Sequence, residues 1–281
     1  MIGEDIMIKY IKDQDKKFEQ DLIKHLRGHN EKFTGKVEFK NLFVYIVDKS
    51  TLIGAISLSC GWNWASMSKV YYKDIEILQV LISKVWHHIK SDYLGIKFFS
   101  PIKERYDDFI SVGFTHQIKL EKLGEYEEFY YAKLTSLKEN IDSNLEVLVS
   151  DKPHDIYQKQ LDEKEEAFEK KYGLQDKTNE FMFIALDGEI CVGGVSGDIY
   201  ENTIYVSRLA VDPLYKNQKI GSKLMSLVEE EAKIRGLKFI ELGTTEFQAR
   251  PFYEKLGYKV VHEMDDYPKG YKCYTLFKEL R

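Results

Sequence analysis

The 281 residues include 43% apolar and 31% charged side chains, with 16 Phe and 19 Tyr. That is enough apolar and aromatic surface for packed cores, and it excludes a disordered or low-complexity chain. Against 46 acidic side chains stand 41 basic ones, for a net charge of -5. No chain-wide positive field is present to hold a polyanion, so nucleic acid is not an expected partner.

The uncharged stretch Ser50–Ser68 is too rich in hydroxyls and glycine for a bilayer, so no membrane span is expected. The N-terminus lacks a basic segment followed by an apolar run, and the expected location is cytoplasmic. Cys60, Cys191 and Cys273 are scattered singly, without a CxxC or a histidine at ligand spacing, which argues against a disulfide framework and against a metal site. At roughly 150 residues per domain, the length points to two domains.

In chain order, apolar periodicity predicts strands near Asp5–Ile11, Leu42–Val47, Thr51–Trp62, Met67–Tyr72, Leu94–Phe99, Phe114–Leu120 and Glu125–Leu134. Helices fall near Gln14–His29, Ile75–Lys90 and Lys103–Ile110. The polar segment Thr135–Ser143 follows. The second half opens on a strand at Leu145–Val149 and a charged helix at Pro153–Tyr172. Strands Glu180–Leu186 and Glu189–Tyr200 flank Asp187-Gly188, a dipeptide suited to a tight hairpin. A strand at Thr203–Val211, a helix at Gly221–Arg235 closed by Gly236, a strand at Lys238–Gly243 and a short helix at Ala249–Leu256 come next. The hairpin Tyr258–Glu263 and Tyr271–Phe277 ends the chain.

The two halves show the same order of elements. A shift of 144 residues lays Phe109–Phe114 on Tyr253–Tyr258 and Tyr71–Leu78 on Tyr215–Ser222. Two anchors at one offset predict a tandem repeat of one fold, divided as residues 1–135 and 144–281.

Chemistry concentrates in the second half. The loop Tyr215–Ser222 joins a strand to a helix, where free backbone N–H groups can bind phosphate oxygens, and Gly221 permits close approach. Leu209-Ala210-Val211-Asp212-Pro213, followed by Lys216-x-x-Lys219-x-Gly221, resembles the phosphate-loop signature of the GNAT superfamily of N-acetyltransferases. Ala249, Tyr253, Glu254, Lys255, Gly257 and Tyr258 match its second marker. The wider stretch Phe247–Tyr253, with Asp266–Gly270 later, looks like a bacterial branch of that superfamily. Lys216 stands where the family has Arg or Gln, and Lys219 stands at its first glycine; neither change removes a backbone donor.

The resemblance implies two tandem GNAT-like α/β (α+β) domains, each a mixed, mostly antiparallel sheet flanked by helices. It implies acetyl-CoA as acyl donor and no metal. The donor would lie where the strand Thr203–Val211 parts from the strand Lys238–Gly243. Its pantetheine arm would pair with Leu209 and Val211, next to Ala210. Its pyrophosphate would rest on Lys216, Asn217, Gln218, Lys219, Ile220, Gly221 and Ser222. A thioester must be held near an unprotonated amine, and its developing oxyanion needs a fixed N–H donor, for which Leu209 or Val211 is the candidate. Tyr253 takes the general-acid role by motif position. The strand Thr203–Val211 has no carboxylate, which leaves Glu241, Glu246, a water chain or no dedicated base.

At the same offset the first half shows no loop glycine, adds Asp74 and Glu76, and has Phe109 in place of Tyr253. A degenerate domain without cofactor is expected there. The expected function is direct acetyl transfer from acetyl-CoA to a primary amine of a small molecule or peptide. The alternative is a non-catalytic acyl-CoA sensor or scaffold. The acceptor and the oligomeric state are not legible in the sequence.

Overall fold

A computed structural model describes residues 6–11, 16–123, 126–137, 141, 144–173, 179–200 and 202–280. The first half runs β1 (Ile6–Ile11), α1 (Lys16–Thr34), β2 (Lys40–Asp48), β3 (Thr51–Gly61), β4 (Trp64–Tyr72), α2 (Ile75–Ile89), β5 (Gly95–Ser100), α3 (Lys103–Ser111), β6 (Thr115–Leu123) and β7 (Tyr126–Leu134). The second runs β8 (Glu146–Ser150), α4 (Asp155–Lys171), β9 (Asn179–Asp187), β10 (Ile190–Tyr200), β11 (Thr203–Val211), α5 (Ile220–Ile234), β12 (Phe239–Thr245), α6 (Arg250–Lys255), β13 (Lys259–Met264) and β14 (Cys273–Glu279). The elements match those expected from periodicity, with shifted ends; α1 continues to Thr34 instead of stopping at His29. The hairpin at Asp187-Gly188 forms as expected, with Gly188 at φ +60 and Asp187 paired with Ile190.

The chain divides into two compact units, one of residues 1–36, 176–266 and 270–281, the other of 37–175 and 267–269. Each holds a seven-stranded sheet. The β11 unit has the order β1-β9-β10-β11-β12-β14-β13, and the β4 unit β8-β2-β3-β4-β5-β7-β6. The orders correspond strand for strand. Each sheet has one parallel pair, β11 with β12 and β4 with β5, among antiparallel neighbours.

The division at 1–135 and 144–281 is corrected by the strand pairing. β1 lies antiparallel to β9, from Ile6 opposite Asp187 to Ile11 opposite Met182, and β8 lies against β2. The first strand and helix of each half therefore complete the sheet formed by the other half. Packing follows the same exchange. Leu22 of α1 is fully buried with Met182, Ile184, Leu186, Cys191 and Ala210, while Leu161 of α4 is buried with Tyr45, Val47, Leu52 and Ala55. Because the two sheets share one strand order, both pairings satisfy the same apolar pattern, and the pattern alone does not choose between them.

The opposite face of each sheet packs on one helix. Leu224, Met225, Val228 and Ala232 of α5 meet Val195, Ile204, Val206, Ile240 and Leu242. Leu78, Leu81, Ile82 and Val85 of α2 pack on β2, β3 and β4 in the same way. The 144-residue shift also needs correction ahead of the helices. Ser68 of β4 and Ser207 of β11 are both bulged residues, and their hydroxyls donate to Ser57 O at 3.0 Å and Ser196 O at 3.1 Å. Tyr71 therefore corresponds to Ala210, not to Tyr215. Two residues, Lys73 and Asp74, connect β4 to α2, whereas the second half has the long segment 212–219.

Candidate functional site

The parallel pairing of β11 with β12 runs from Thr203 opposite Phe239 to Val206 opposite Leu242 and then stops, although the strands continue to Val211 and Thr245. The bulge at Ser207 falls at the point of separation, where an extra residue adds local twist. Beyond it β11 is laddered only to β10. Asp212 N donates to Val192 O at 2.8 Å. Hydrogen-bonded and non-bonded pairs alternate in an antiparallel ladder, so Ala210 shares the phase of Asp212 and faces β10. Leu209 and Val211 then turn their N–H and C=O groups into the gap. Of the three strand residues expected to hold the donor, only Leu209 and Val211 present main-chain groups there. Ala210 instead packs its side chain beneath α1.

The strand leads into the loop expected to hold a pyrophosphate. Asp212 caps a 3₁₀ turn at Pro213–Tyr215 by accepting from Leu214 N at 2.8 Å. Tyr215 Oη donates to Asp187 at 2.6 Å, pinning the turn to the β9–β10 hairpin. Asn217 and Lys219 both have positive φ, 65° and 62°, a backbone conformation that occurs in anion-binding turns. Among the described residues no side chain caps α5, which leaves its first-turn N–H groups for an anion. Lys216, Asn217 and Lys219 are exposed, and the Gln218 Oε1 is buried without a partner among the described residues. Ile220 is buried, while Gly221 and Ser222 are partly exposed at the start of the helix. A Cβ at Gly221 would approach Phe252 to 3.4 Å.

The left-handed backbone at Lys219 explains why a glycine suits that position. Lys219→Gly is expected to raise stability by about 1 kcal/mol, read as a higher urea midpoint at unchanged slope. A lower midpoint would mean that the lysine side chain contributes more than its backbone conformation costs.

α1 forms the other wall. Glu19 pairs with Arg208 at 3.2 Å, and His25 lies 3.9 Å from Asp212, both on the β11 side of the gap. On the β12 side, the His29 ring bonds to Phe247 O at 3.0 Å, Asn30 Oδ1 accepts from Gln248 at 2.9 Å, and Phe33 stacks on Phe247 at 4.8 Å. This helix spans the mouth of the gap. Its role is not legible in the sequence; α4, which carries the charged run Asp162–Lys171, packs on β3 and β4. Arg208 serves the ion pair with Glu19.

Tyr253 on α6 is 6% exposed and packs against Phe252 and Tyr258. Burial raises its pKa well above the ordinary phenol value, so it holds its proton. No hydrogen bond engages its hydroxyl among the described residues, which leaves the proton available to a ligand. Glu241 stands opposite Tyr205, on the sheet face shared with Arg208. Glu246 is tied down: its N–H donates to Lys272 O at 2.8 Å and its carboxylate accepts from Lys272 N at 3.1 Å. That double contact joins the end of β12 to the start of β14 and gives Glu246 an anchoring role.

The equivalent positions of the β4 unit are filled by its own side chains. Val70 corresponds to Leu209, and its N–H donates to the Glu165 carboxylate of α4 at 2.9 Å. Glu165 is 8% exposed and also binds Arg105 at 3.2 Å. Asp74 caps α2, accepting from Ile77 N at 3.0 Å. Phe109, in the place of Tyr253, is fully buried between Phe98 and Phe114.

Residues 144–258 match the model of the acetyltransferase (GNAT) family. Blasticidin-S acetyltransferase of Streptomyces morookaense is 33% identical over 94 residues, which is 33% of this chain and 68% of the relative. The chain belongs to the GNAT acetyltransferase family. An acetyltransferase of Agrobacterium fabrum is 28% identical over 100 residues, covering 36% of this chain and 73% of its own. A crystal structure of a Bacillus cereus acetyltransferase superposes with a TM-score of 0.42 at 28% identity, over 46% of this chain and 95% of that one. The matched GNAT segment includes β8 and α4, which here pack in the β4 unit, so β1 and α1 take their places on the GNAT sheet. Among the described residues no helix is long and apolar enough to cross a membrane.

Proposed function

We propose that this acetyltransferase uses acetyl-CoA to acetylate a primary amine, with donor and acceptor meeting in the β11 unit. The observation that carries the reading is the widening gap beyond Val206 and Leu242, edged by outward main-chain groups and running into an uncapped helix N-terminus. The residues fit the donor. Leu209 and Val211 offer ladder positions to the amide-bearing arm, and the amides from Lys216 to Ser222, with exposed Lys216 and Lys219, suit a pyrophosphate. Acetyl-CoA supplies an acetyl group bonded to a good thiol leaving group.

The chain's own groups then have separable tasks. The Leu209 N–H would hold a carbonyl oxygen as negative charge develops on it. Tyr253 keeps its proton at neutral pH and can release it to a departing sulfur. Of the two candidate bases, Glu241 lies on the face that α1 borders, whereas Glu246 is held by Lys272. Transfer is direct: Cys191 is buried beneath α1, and burial raises its thiol pKa, which disfavours a nucleophilic thiolate.

The β4 unit is assigned no donor. Glu165 takes the N–H equivalent to that of Leu209, and Asp74 takes the helix terminus a phosphate would need. Calorimetry with CoA, followed by a primary-amine panel with acetyl-CoA, tests the reading. Expected are one equivalent bound, loss of binding in Gly221→Val, and turnover of at least one amine. Two equivalents bound would overturn the assignment to one unit, and binding without turnover of any amine would make the protein an acyl-CoA sensor.

A further inference from the structure

The sheet face bordered by α1 has a polar cluster that the donor does not explain. Register places Asp198 opposite Tyr205 and Tyr205 opposite Glu241, so two carboxylates flank a phenol across β10, β11 and β12. Their neighbours Ile199, Ile204, Val206, Ile240 and Leu242 point to the α5 core, which puts all three on the other face. Ser196 lies two residues from Asp198, opposite Arg208. It is fully buried, and its Oγ has no partner among the described residues. Arg208 is engaged by Glu19. Asp198 itself has no hydrogen bond or ion-pair partner among the described residues.

The β4 unit supplies an internal control. Aligned on the two bulges, Ser57 takes the place of Ser196 and is likewise buried with an unpartnered hydroxyl. Ser59, Ser66 and Lys97 take the places of Asp198, Tyr205 and Glu241. The fold therefore supplies the buried hydroxyl in both sheets and tolerates hydroxyls and a cation around it. The carboxylates are particular to the β11 unit.

Resting on the reading of this gap as the acetyl-transfer site, we propose that Asp198, with the Ser196 and Tyr205 hydroxyls, receives an ammonium group of the acceptor other than the amine that is acetylated, so that the acceptor is a cationic aliphatic amine with a second amino group. An ammonium presents three donors, and a carboxylate and two hydroxyl oxygens can meet them. Burial raises the pKa of Asp198, which Arg208 partly offsets, so a bound cation would relieve the cost of its charge. Tyr205 is held neutral by burial and by Glu241, its pKa raised to about 12.

The experiment uses the full chain with 1,4-diaminobutane and 1,5-diaminopentane as cationic acceptors and 4-methoxyaniline as an amine neutral at pH 7. Wild type should prefer the cationic acceptors. Asp198→Asn should raise their KM about 10- to 100-fold, with kcat, CoA affinity and 4-methoxyaniline turnover little changed. Ser196→Ala should raise the same KM more modestly. Calorimetry of 1,4-diaminobutane against the protein–CoA complex, which has no acetyl group to transfer, should show the same weakening without turnover. Equal use of neutral and cationic amines, or an unchanged KM in a folded Asp198→Asn, overturns the inference while leaving acetyl transfer intact. Failure of wild type to acetylate any amine removes the underlying function and this inference with it.

Discussion

Residues 144–281 expressed alone should fail to form a stable CoA-binding unit, although they include both family motifs and the matched segment. The fragment retains β9 to β14, α5 and α6, but it loses β1, whose six residues cover the edge of β9. It also loses α1, whose Leu22 fills the pocket formed by Met182, Ile184, Leu186, Cys191 and Ala210. Truncating one such leucine to alanine costs about 2–5 kcal/mol, which is already a large part of a domain's net stability of roughly 5–15 kcal/mol. An uncovered edge strand beside an uncovered apolar face is in addition a site for aggregation.

β8 and α4 remain on the fragment and could fold back onto β9, but their chemistry suits the other sheet. Glu165 stands three residues after Asp162, as Leu22 stands three after Glu19, and Asp162 pairs with Lys69 as Glu19 pairs with Arg208. Folding back would thus set a carboxylate where the β11 unit buries a leucine, without Arg105 to accompany it. Thermal melts by circular dichroism and CoA calorimetry decide the matter. The full chain should melt cooperatively and bind; the fragment should show a broad transition and no measurable heat. Cooperative melting with undiminished affinity would show that the exchange of β1 and α1 is dispensable.

Much of this architecture was legible in the sequence because its signals are local. The alternation in Thr203–Val211, the apolar stripe of α5 closed by Gly236, and the Asp187-Gly188 turn each report their own element. The exchange of strands is not local. β1 and β8 are both short, both followed by an amphipathic helix, and both fit a β9 or β2 edge. The distinction resides in partners more than a hundred residues away, such as Asn30 with Gln248.

The site divides along the same line. The loop 212–219 and Tyr253 lie in contiguous motifs, so their positions in the fold are readable from the sequence. The outward phase of Leu209 and Val211 depends on the Ser207 bulge, and the grouping of Asp198, Tyr205 and Glu241 depends on register across three strands. The ungapped shift misplaced Tyr71 because the segment 212–219 is an insertion relative to Lys73-Asp74. Phe109 lies beyond that insertion, on α3 as Tyr253 lies on α6, so the 144-residue offset still pairs these two.

Tyr253→Phe should lower kcat by about 100-fold while leaving CoA affinity within about twofold. The substitution removes one oxygen from a side chain packed between Phe252 and Tyr258, and no described hydrogen bond is lost with it. Fold stability should therefore hold, and any change in turnover reports the proton. The burial that raises the Tyr253 pKa keeps the phenol protonated across the neutral range, so the acid form is present before the thiolate needs it. As pH rises toward the phenol's raised pKa the proton is lost, and the wild-type rate should fall on that alkaline side while Tyr253→Phe stays flat there. Acetyl-thioesters with a leaving thiol of low pKa need less protonation. They should restore the variant's rate more than the wild type's, which a merely structural role would not produce. Equal rates for variant and wild type with acetyl-CoA would transfer the proton-donor role to solvent and leave Tyr253 a packing residue.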